Sequence, residues 1–229
     1  MTMLKTKRLF LLPMTDERMQ SETMRSDLDE HMRKARIQMM EGALKNPNLR
    51  LWYTNWEIKL QKSGKSIGGL CFKGPPKDAE VEIRYSIDDE SERGKGYATE
   101  AVAAAVRWAM ARESVCFVTA EVSPENVASR RVLEKQGFVP IGPGTEGTRF
   151  EKEKPETPYF LVYTLLGAII GCCVGIAAGN WPAGLCVGLA LGVLLGGALD
   201  VHERAKRRKL RIQRKRLQDV SQAQTKPIA

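Results

Sequence analysis

The sequence predicts an α/β domain, a mixed sheet flanked by helices, joined to a two-helix transmembrane hairpin and a basic tail. Three observations predict it. Segments of strand and helix character alternate through residues 1–155, the order expected of a mixed sheet with helices on its faces. From Thr157 to Leu199, 43 consecutive residues contain no Asp, Glu, Lys, Arg or His. That run is too long for one buried core helix and suits two spans of ~20 residues each. The charge is also uneven: residues 201–229 carry ten Lys/Arg and two acidic residues, whereas residues 1–157 carry 26 basic and 24 acidic ones. The pI of about 9.4 therefore reports a tail, which argues against nucleic-acid binding by the first domain. Composition excludes a collagen-like, disulfide-framework or disordered chain.

The elements of the first domain follow in order. Arg8–Leu12 reads as a short strand closed by Pro13. Thr15 caps a helix running to roughly Ser26, with Asp16 and Glu17 favouring its N-terminus. A second helix spans about Leu28–Leu44 and stops near Gly42 or Asn46-Pro47. Trp56–Leu60 and Ser66–Phe72 form strands around the turn Lys62-Ser63-Gly64-Lys65. Trp52 and Trp56 are read as core residues. Glu80–Ile87 is a strand with Val81, Ile83, Tyr85 and Ile87 on one face and Glu82, Arg84 and Ser86 on the other. A helix is expected from about Tyr97 to Arg112, a strand over Val115–Val122, and a helix over Glu125–Gln136 ended by Gly137. Phe138–Ile141 and Thr148–Lys152 complete the sheet.

Five cysteines (Cys71, Cys116, Cys172, Cys173 and Cys186) include no CxxC pair, and the two histidines, His31 and His202, lie far apart. Neither a disulfide scaffold nor a metal site is expected, and a reducing cytosol suits the first domain. The opening residues have no apolar stretch long enough for a signal peptide, so that domain is expected to stay where it is made.

The chemistry concentrates in Arg93-Gly94-Lys95-Gly96-Tyr97-Ala98-Thr99, between a strand and a helix. Two glycines permit a tight turn and close approach of backbone to a ligand. The following helix offers unpaired N–H groups and a partial positive charge, which together bind phosphate. Arg93 and Lys95 add charge and Thr99 a hydroxyl. Other phosphate loops fit less well. A dinucleotide fingerprint needs Gly or Ala where Thr99 stands. A P-loop ending in Gly64-Lys65-Ser66 needs glycine where Lys59 stands, and a strand follows instead of a helix.

Three separated stretches, Val81–Asp89, Arg93–Ala101 and Glu121–Phe138, with the opening Thr6–Met14, resemble the GNAT N-acetyltransferases, most closely their RimJ/RimL-type branch. The resemblance covers essentially residues 1–155. It implies the acyl-CoA N-acyltransferase fold and acetyl-CoA as the acyl donor. The family's (Arg/Gln)-x-x-Gly-x-(Gly/Ala) loop falls on Arg93, Gly96 and Ala98, and its backbone would cradle the pyrophosphate. The pantetheine would pair with the strand end around Ser86 and Ile87, and an N–H near Ile87 would polarise the thioester carbonyl. Asn126 matches the Asn that contacts the CoA arm. Glu82 is the candidate base for the amine, the other reading being a surface Glu ion-paired with Arg84. Ser129 matches a Ser of that branch and is the candidate acid, the other reading being a helix residue bonded to its own backbone. Two departures stand out. Leu133 occupies the place where many members carry a Tyr acid. Arg84 replaces a small residue, which would narrow the pocket, bind an acidic acceptor or mark lost activity.

In the apolar run, Gly167, Gly171, Gly175 and Gly179, then Gly184, Gly188, Gly192 and Gly196, recur every four residues. This glycine-zipper spacing lets membrane helices approach closely, within a chain or between protomers of a homo-oligomer. The spans are placed at about 158–179 and 182–200, with Asn180-Trp181-Pro182-Ala183 as the break. The basic tail marks the cytoplasmic side, and two spans put the N-terminal domain on that side too. The tail is expected to hold anionic lipid at ~1 kcal/mol per basic side chain. RNA or ribosome contact is the runner-up role, and a plain topology signal with no specific partner stands as the alternative to both. The sequence thus points to a membrane-tethered, cytoplasm-facing N-acetyltransferase acting on a primary amine of a protein N-terminus or a small molecule. The competing class is a non-catalytic acyl-CoA-binding sensor or scaffold module of a membrane assembly.

Overall fold

Eight strands meet in one sheet of order β1-β2-β3-β4-β5-β6-β8-β7, and alternating burial along Leu9–Pro13 and Glu80–Ile87 fixes which face packs on the core. The computed structural model describes residues 3–24 and 30–225 and divides into two units, one up to Lys154 and one from Pro155. In the first unit the strands are β1 (Leu4–Lys5), β2 (Leu9–Pro13), β3 (Trp56–Leu60), β4 (Ser66–Phe72), β5 (Glu80–Ile87), β6 (Phe117–Val122), β7 (Val139–Pro143) and β8 (Thr148–Glu153). Every neighbouring pair is antiparallel except β5 and β6, which run parallel.

The helices are α1 (Asp16–Thr23), α2 (Glu30–Lys45), α3 (Arg50–Tyr53), α4 (Tyr97–Met110) and α5 (Val127–Lys135). Thr15 caps α1, its hydroxyl accepting from the Arg18 N–H at 3.4 Å. The expected junction of α1 and α2 between Ser26 and Leu28 lies outside the described residues. Two elements were not foreseen. A two-residue strand, Leu4–Lys5, is too short to show periodicity, and α3 is a single turn carried on from a 3-10 turn at Pro47–Leu49.

Helix α4 organises the core because Ala101, Val102, Ala105, Trp108 and Ala109 are buried together. Alanine lets the helix lie close to the sheet, and one large residue fills the remaining volume. The Trp108 ring lies 4.7 Å from Trp52, 5.2 Å from Trp56 and 5.5 Å from Phe72. Trp52 and Trp56 are buried core residues, as their positions suggested.

The second unit is an antiparallel helical pair, α6 (Tyr159–Ala177) and α7 (Trp181–Thr225). Both are long and apolar enough to cross a membrane, with mean hydropathy of 2.3 and 2.0 in their most apolar stretches. Gly179, at φ +74°, turns the chain. The Asn180 N–H donates to the Gly175 carbonyl at 2.8 Å, and Asn180 Oδ1 accepts from the Ala183 N–H at 3.3 Å. Glycine lines the contact between the helices. A Cβ on Gly167 would stand 2.2 Å from the Gly188 carbonyl oxygen, one on Gly171 2.3 Å from that of Gly184, and one on Gly192 2.3 Å from that of Tyr163. The two glycine rows face each other within one chain, so the surface that the sequence offered to a second protomer is already used. Leu165, Ile169, Val174, Ile176, Val187, Leu191 and Leu194 point outward and are exposed.

Helix α7 does not stop near residue 200, where the second span was expected to end. Residues 201–225 contain neither Gly nor Pro and are rich in Arg, Lys and Gln, all good helix formers, so the helix runs on into the tail. Asp200 Oδ2 accepts from the Phe160 N–H at 3.4 Å, Arg204 pairs with Glu156 at 3.6 Å, and Arg207 donates to the Pro155 carbonyl at 3.3 Å. These contacts tie the entry of α6 to the tail.

Candidate active site

The parallel ladder between β5 and β6 is short. Its pairs are Glu80 with Phe117, Val81 with Val118 and Glu82 with Thr119, and there it ends. Beyond that point β5 keeps its ladder to β4, and β6 keeps its ladder to β8. The two central strands therefore splay into a wedge. Its closed end is stitched by side chains, where the buried Thr119 hydroxyl donates to Glu80 Oε1 at 2.9 Å and Arg149 pairs with the same carboxylate.

The antiparallel register settles which backbone groups face this wedge. Lys73 N–H donates to the Glu82 carbonyl, and Asp88 N–H to the Ile67 carbonyl, both at 2.9 Å. Because strand residues alternate, even-numbered residues of β5 turn their backbone groups toward β4 and odd-numbered ones toward the wedge. Tyr85 and Ile87 thus present their N–H groups to the gap. Of the two positions expected at this strand end, Ile87 offers its backbone there and Ser86 does not. The Ser86 carbonyl lies so close to β4 that a Cβ on Gly68 would stand 2.2 Å from it.

The loop that follows turns as the sequence suggested. Gly94 has φ +76° and Gly96 φ +81°, a region that side chains disfavour. Gly96 is the N-cap of α4 and offers no side-chain oxygen, while the first i→i−4 bond of the helix is Glu100 N–H to the Gly96 carbonyl. The N–H groups of Tyr97, Ala98 and Thr99 therefore have no intrahelical acceptor and point out of the helix end.

Arg93 does not stand free for a phosphate. Its Nε donates to the Ile87 carbonyl at 2.9 Å and its guanidinium pairs with Glu90 at 3.1 Å, so the side chain fastens the end of β5 to the loop. Lys95 pairs with Glu92 at 2.8 Å. A different cation sits at the helix end: Arg8 donates to the Lys95 carbonyl at 3.0 Å and lies over the Tyr97 ring at 4.4 Å. Arg8 is held by Glu100, whose carboxylate also accepts from the Thr6 hydroxyl at 2.6 Å and the Arg8 N–H at 2.7 Å. Burial alone would raise the Glu100 carboxyl. The hydrogen bonds from Thr6 and Arg8 and the Arg8 charge outweigh it and hold that carboxyl below its ordinary value. Sequence reasoning read Arg8 only as the start of a strand, and an Arg at a strand start carries no signal of a partner 92 positions away.

Asn126 is the N-cap of α5, its Oδ1 accepting from the Ser129 N–H at 2.9 Å. Its amide group remains available as a donor. Tyr85, on the β5 face that packs against the core, reaches across the wedge. Its hydroxyl donates to the Ser129 carbonyl at 3.1 Å, and burial pushes the phenol up to about 12. Leu133, one turn further along α5, is fully buried.

On the opposite face stand Glu82, Arg84 and Ser86. The largely buried Glu82 carboxylate pairs with Lys73 and lies 3.8 Å from Arg84. Arg84 also pairs with Glu146, in the turn between β7 and β8. That turn is held from β6, because Glu121 Oε2 accepts from the Thr145 hydroxyl and the Glu146 N–H, both at 2.9 Å. The wedge is therefore bridged on both faces, by Tyr85 to α5 on one and by Arg84 through Glu146 to Glu121 on the other. Glu121 and Glu146 were not foreseen, because nothing in the sequence shows which strand a hairpin turn will lean on. Among the described residues no group of three or more His, Cys, Asp and Glu side chains is placed to hold a metal ion.

Comparison with known proteins gives a family. The family model of the acetyltransferase (GNAT) domain matches residues 8–139, more than half of the chain. The uncharacterised N-acetyltransferase YjdG of Bacillus subtilis (strain 168) is 34% identical over 88 residues, 38% of this chain and 52% of that protein. The match thus spans about half the length of this curated relative. Two solved structures share the fold. A ribosomal-protein-S5-alanine acetyltransferase from Vibrio fischeri superposes with a TM-score of 0.53 at 15% identity, over 68% of this chain and 98% of that one. A RimL ribosomal α-N-protein acetyltransferase in complex with coenzyme A gives 0.51 at 16% identity, over 66% and 98%. The chain belongs to the GNAT acetyltransferase family.

Proposed function

We propose that this GNAT family member transfers an acetyl group from acetyl-CoA to a primary amine, and does so from a membrane. The single observation that carries the transferase reading is the wedge between β5 and β6, where the N–H groups of Tyr85 and Ile87 lie beyond the end of the parallel ladder, with a glycine-turned helix N-terminus beside it. The N–H groups of Tyr97, Ala98 and Thr99, with Gly94 and Gly96 giving access, would hold the pyrophosphate. The β5 edge at Tyr85 and Ile87 would pair with the pantetheine, and the Ile87 N–H would stabilise the oxyanion that forms on the thioester carbonyl. The Asn126 amide would donate to the same arm. Glu82 is the group on the acceptor face able to take the amine's proton.

Membrane attachment rests on the inverted packing of the second unit. Its small residues are inside and its Leu, Ile and Val side chains outside, the reverse of a soluble hairpin and the arrangement that lets helices associate in lipid. The basic residues of the tail support a cytoplasmic side for it and, with two spans, for the N-terminal domain. Arg204 and Arg207 are engaged by Glu156 and Pro155, which leaves Lys206, Arg208 and Lys209 to meet anionic lipid. The acceptor is a protein N-terminus, the acceptor class of the ribosomal-protein acetyltransferases that share the fold, or a small amine.

One observation favours the non-catalytic reading. Lys73 and Arg84 both crowd the Glu82 carboxylate and occupy the space from which an amine would approach it. Titrating acetyl-CoA into the full-length chain in detergent, then following thiol release with a panel of amines and peptide N-termini, decides between them. Binding with amine-dependent thiol release is the expected result. Binding without release on any acceptor would support the sensor module, and no binding would end both readings.

A further inference from the structure

We infer that Tyr85 is a catalytic residue, the hydrogen-bond donor that supports the departing sulfur. The inference rests on the acetyltransferase reading above. The observation is geometric: the Tyr85 hydroxyl crosses the wedge from β5 and meets α5 at the Ser129 carbonyl, 3.1 Å away. A helical carbonyl in the first turn is a replaceable partner, because it can also accept the backbone bond of its own helix. The hydroxyl therefore has an alternative acceptor available to it whenever one enters the wedge beside the Tyr85 and Ile87 backbone. Leu133, fully buried one turn along the same helix, supplies no donor.

The step balances as follows. The amine nitrogen attacks the thioester carbonyl carbon and forms the C–N bond. Collapse breaks the C–S bond, and its electron pair stays on sulfur. The Tyr85 O–H turns from the Ser129 carbonyl to that sulfur and donates a hydrogen bond as the negative charge develops. The amine's surplus proton leaves through Glu82 or water, and the thiolate takes a proton from solvent after it departs. Tyr85 keeps its own proton throughout, because its buried phenol titrates well above an ordinary thiol. A hydrogen bond to a charged group is the strong kind, which suits a donor that must favour thiolate over thioester.

The test uses the full-length chain in detergent with coenzyme A itself, and so needs no knowledge of the acceptor. Thiolate absorbance of bound coenzyme A is titrated against pH in the wild type, in Tyr85→Phe and in Ser129→Ala, alongside calorimetric binding. In the wild type and in Ser129→Ala the bound thiol should ionise about tenfold more readily than free coenzyme A. In Tyr85→Phe that advantage should vanish while affinity changes less than about threefold. With any amine found to be acetylated, Tyr85→Phe should lower kcat by about 10- to 100-fold and leave the donor KM nearly unchanged. Identical thiol titrations in wild type and Tyr85→Phe at equal affinity would overturn the inference, as would loss of the advantage in Ser129→Ala alone. A wild-type chain showing no binding heat would overturn the donor site itself, a failure distinct from either.

Discussion

Glycine does two different jobs in the two units. In the loop before α4, Gly94 has nothing within 4 Å of where a Cβ would stand, yet its φ is +76°. There the residue is needed for its conformation. In the hairpin, Gly188 has ordinary helical geometry, yet a Cβ would lie 2.1 Å from the Gly167 carbonyl oxygen. There it is needed for its absence of volume. The lesson is that a glycine's role cannot be read from its presence alone. The residue that best replaces it differs in kind between the two places.

Substitution sharpens this difference. The largest effect is expected at Gly188. Gly188→Val would force backbones apart, at a cost on the order of 3 kcal/mol, and should abolish the helical pairing of the second unit. Even Gly188→Ala should destabilise it, although alanine gains about 1 kcal/mol of helix propensity over glycine. Thermal loss of helical ellipticity in detergent reads both. Coenzyme A binding by the first unit should not change. A stabilised hairpin in Gly188→Ala would refute the volume argument.

Gly68 is the first unit's counterpart, a glycine needed for space. Gly68→Ala would push against the Ser86 carbonyl, cost about 1–3 kcal/mol, and displace the β5 edge at Ile87. Coenzyme A affinity should fall with stability, which calorimetry and thermal melts measure together. At Gly96 the effect should be smaller. Gly96→Ala strains a left-handed residue by about 1–2 kcal/mol and should weaken coenzyme A binding several-fold while lowering the melting temperature by several degrees. Gly94→Asn should be nearly silent, because asparagine visits this region and the space is open.

How legible these roles were in the sequence follows the same division. The turn before α4 was legible because two glycines between strand and helix announce a backbone requirement by themselves. The hairpin was legible because four-residue spacing repeats. The site's side chains were not. Arg93 looked like a ligand-facing charge and instead fastens β5 to its loop. Arg8 looked like a strand residue and instead lies at the helix end. Tyr85 was placed on the correct face of its strand, but only the splay of β5 from β6 makes its hydroxyl a bridge. Gly68 gave no signal at all, since a strand glycine near a carbonyl needs the register of both strands to be recognised. Local backbone demands are written locally, whereas a partner's identity depends on which segments the sheet order brings together.

The smallest expected effect concerns the loop whose turn Gly94 and Gly96 permit. Its first half is fastened by side chains. Asp89 pairs with Lys65 and accepts from the Ser91 hydroxyl at 2.6 Å and the Ser91 N–H at 3.0 Å. The Lys65 ammonium, then the Ser91 hydroxyl, hold the Asp89 carboxyl down at about 2, against an ordinary value of 3.8. A depressed folded-state value means the contact stabilises the loop above the ordinary carboxylate range. That stabilisation is lost as pH falls from about 3.8 toward 2. The reciprocal shift on Lys65, raised by Asp89, keeps the pair intact at all pH values between the two. Because both side chains meet solvent, the effect should be confined to the loop and weakened by salt. Hydrogen exchange at the Ser91 and Glu92 amides should accelerate across that acid window beyond the intrinsic rate change in the wild type. In Asp89→Asn, which keeps an acceptor for Ser91 but has no proton to lose, it should not. An unchanged acid transition in Asp89→Asn would mean that another carboxylate of the loop, Glu90 or Glu92, and not the Asp89 pair, carries it.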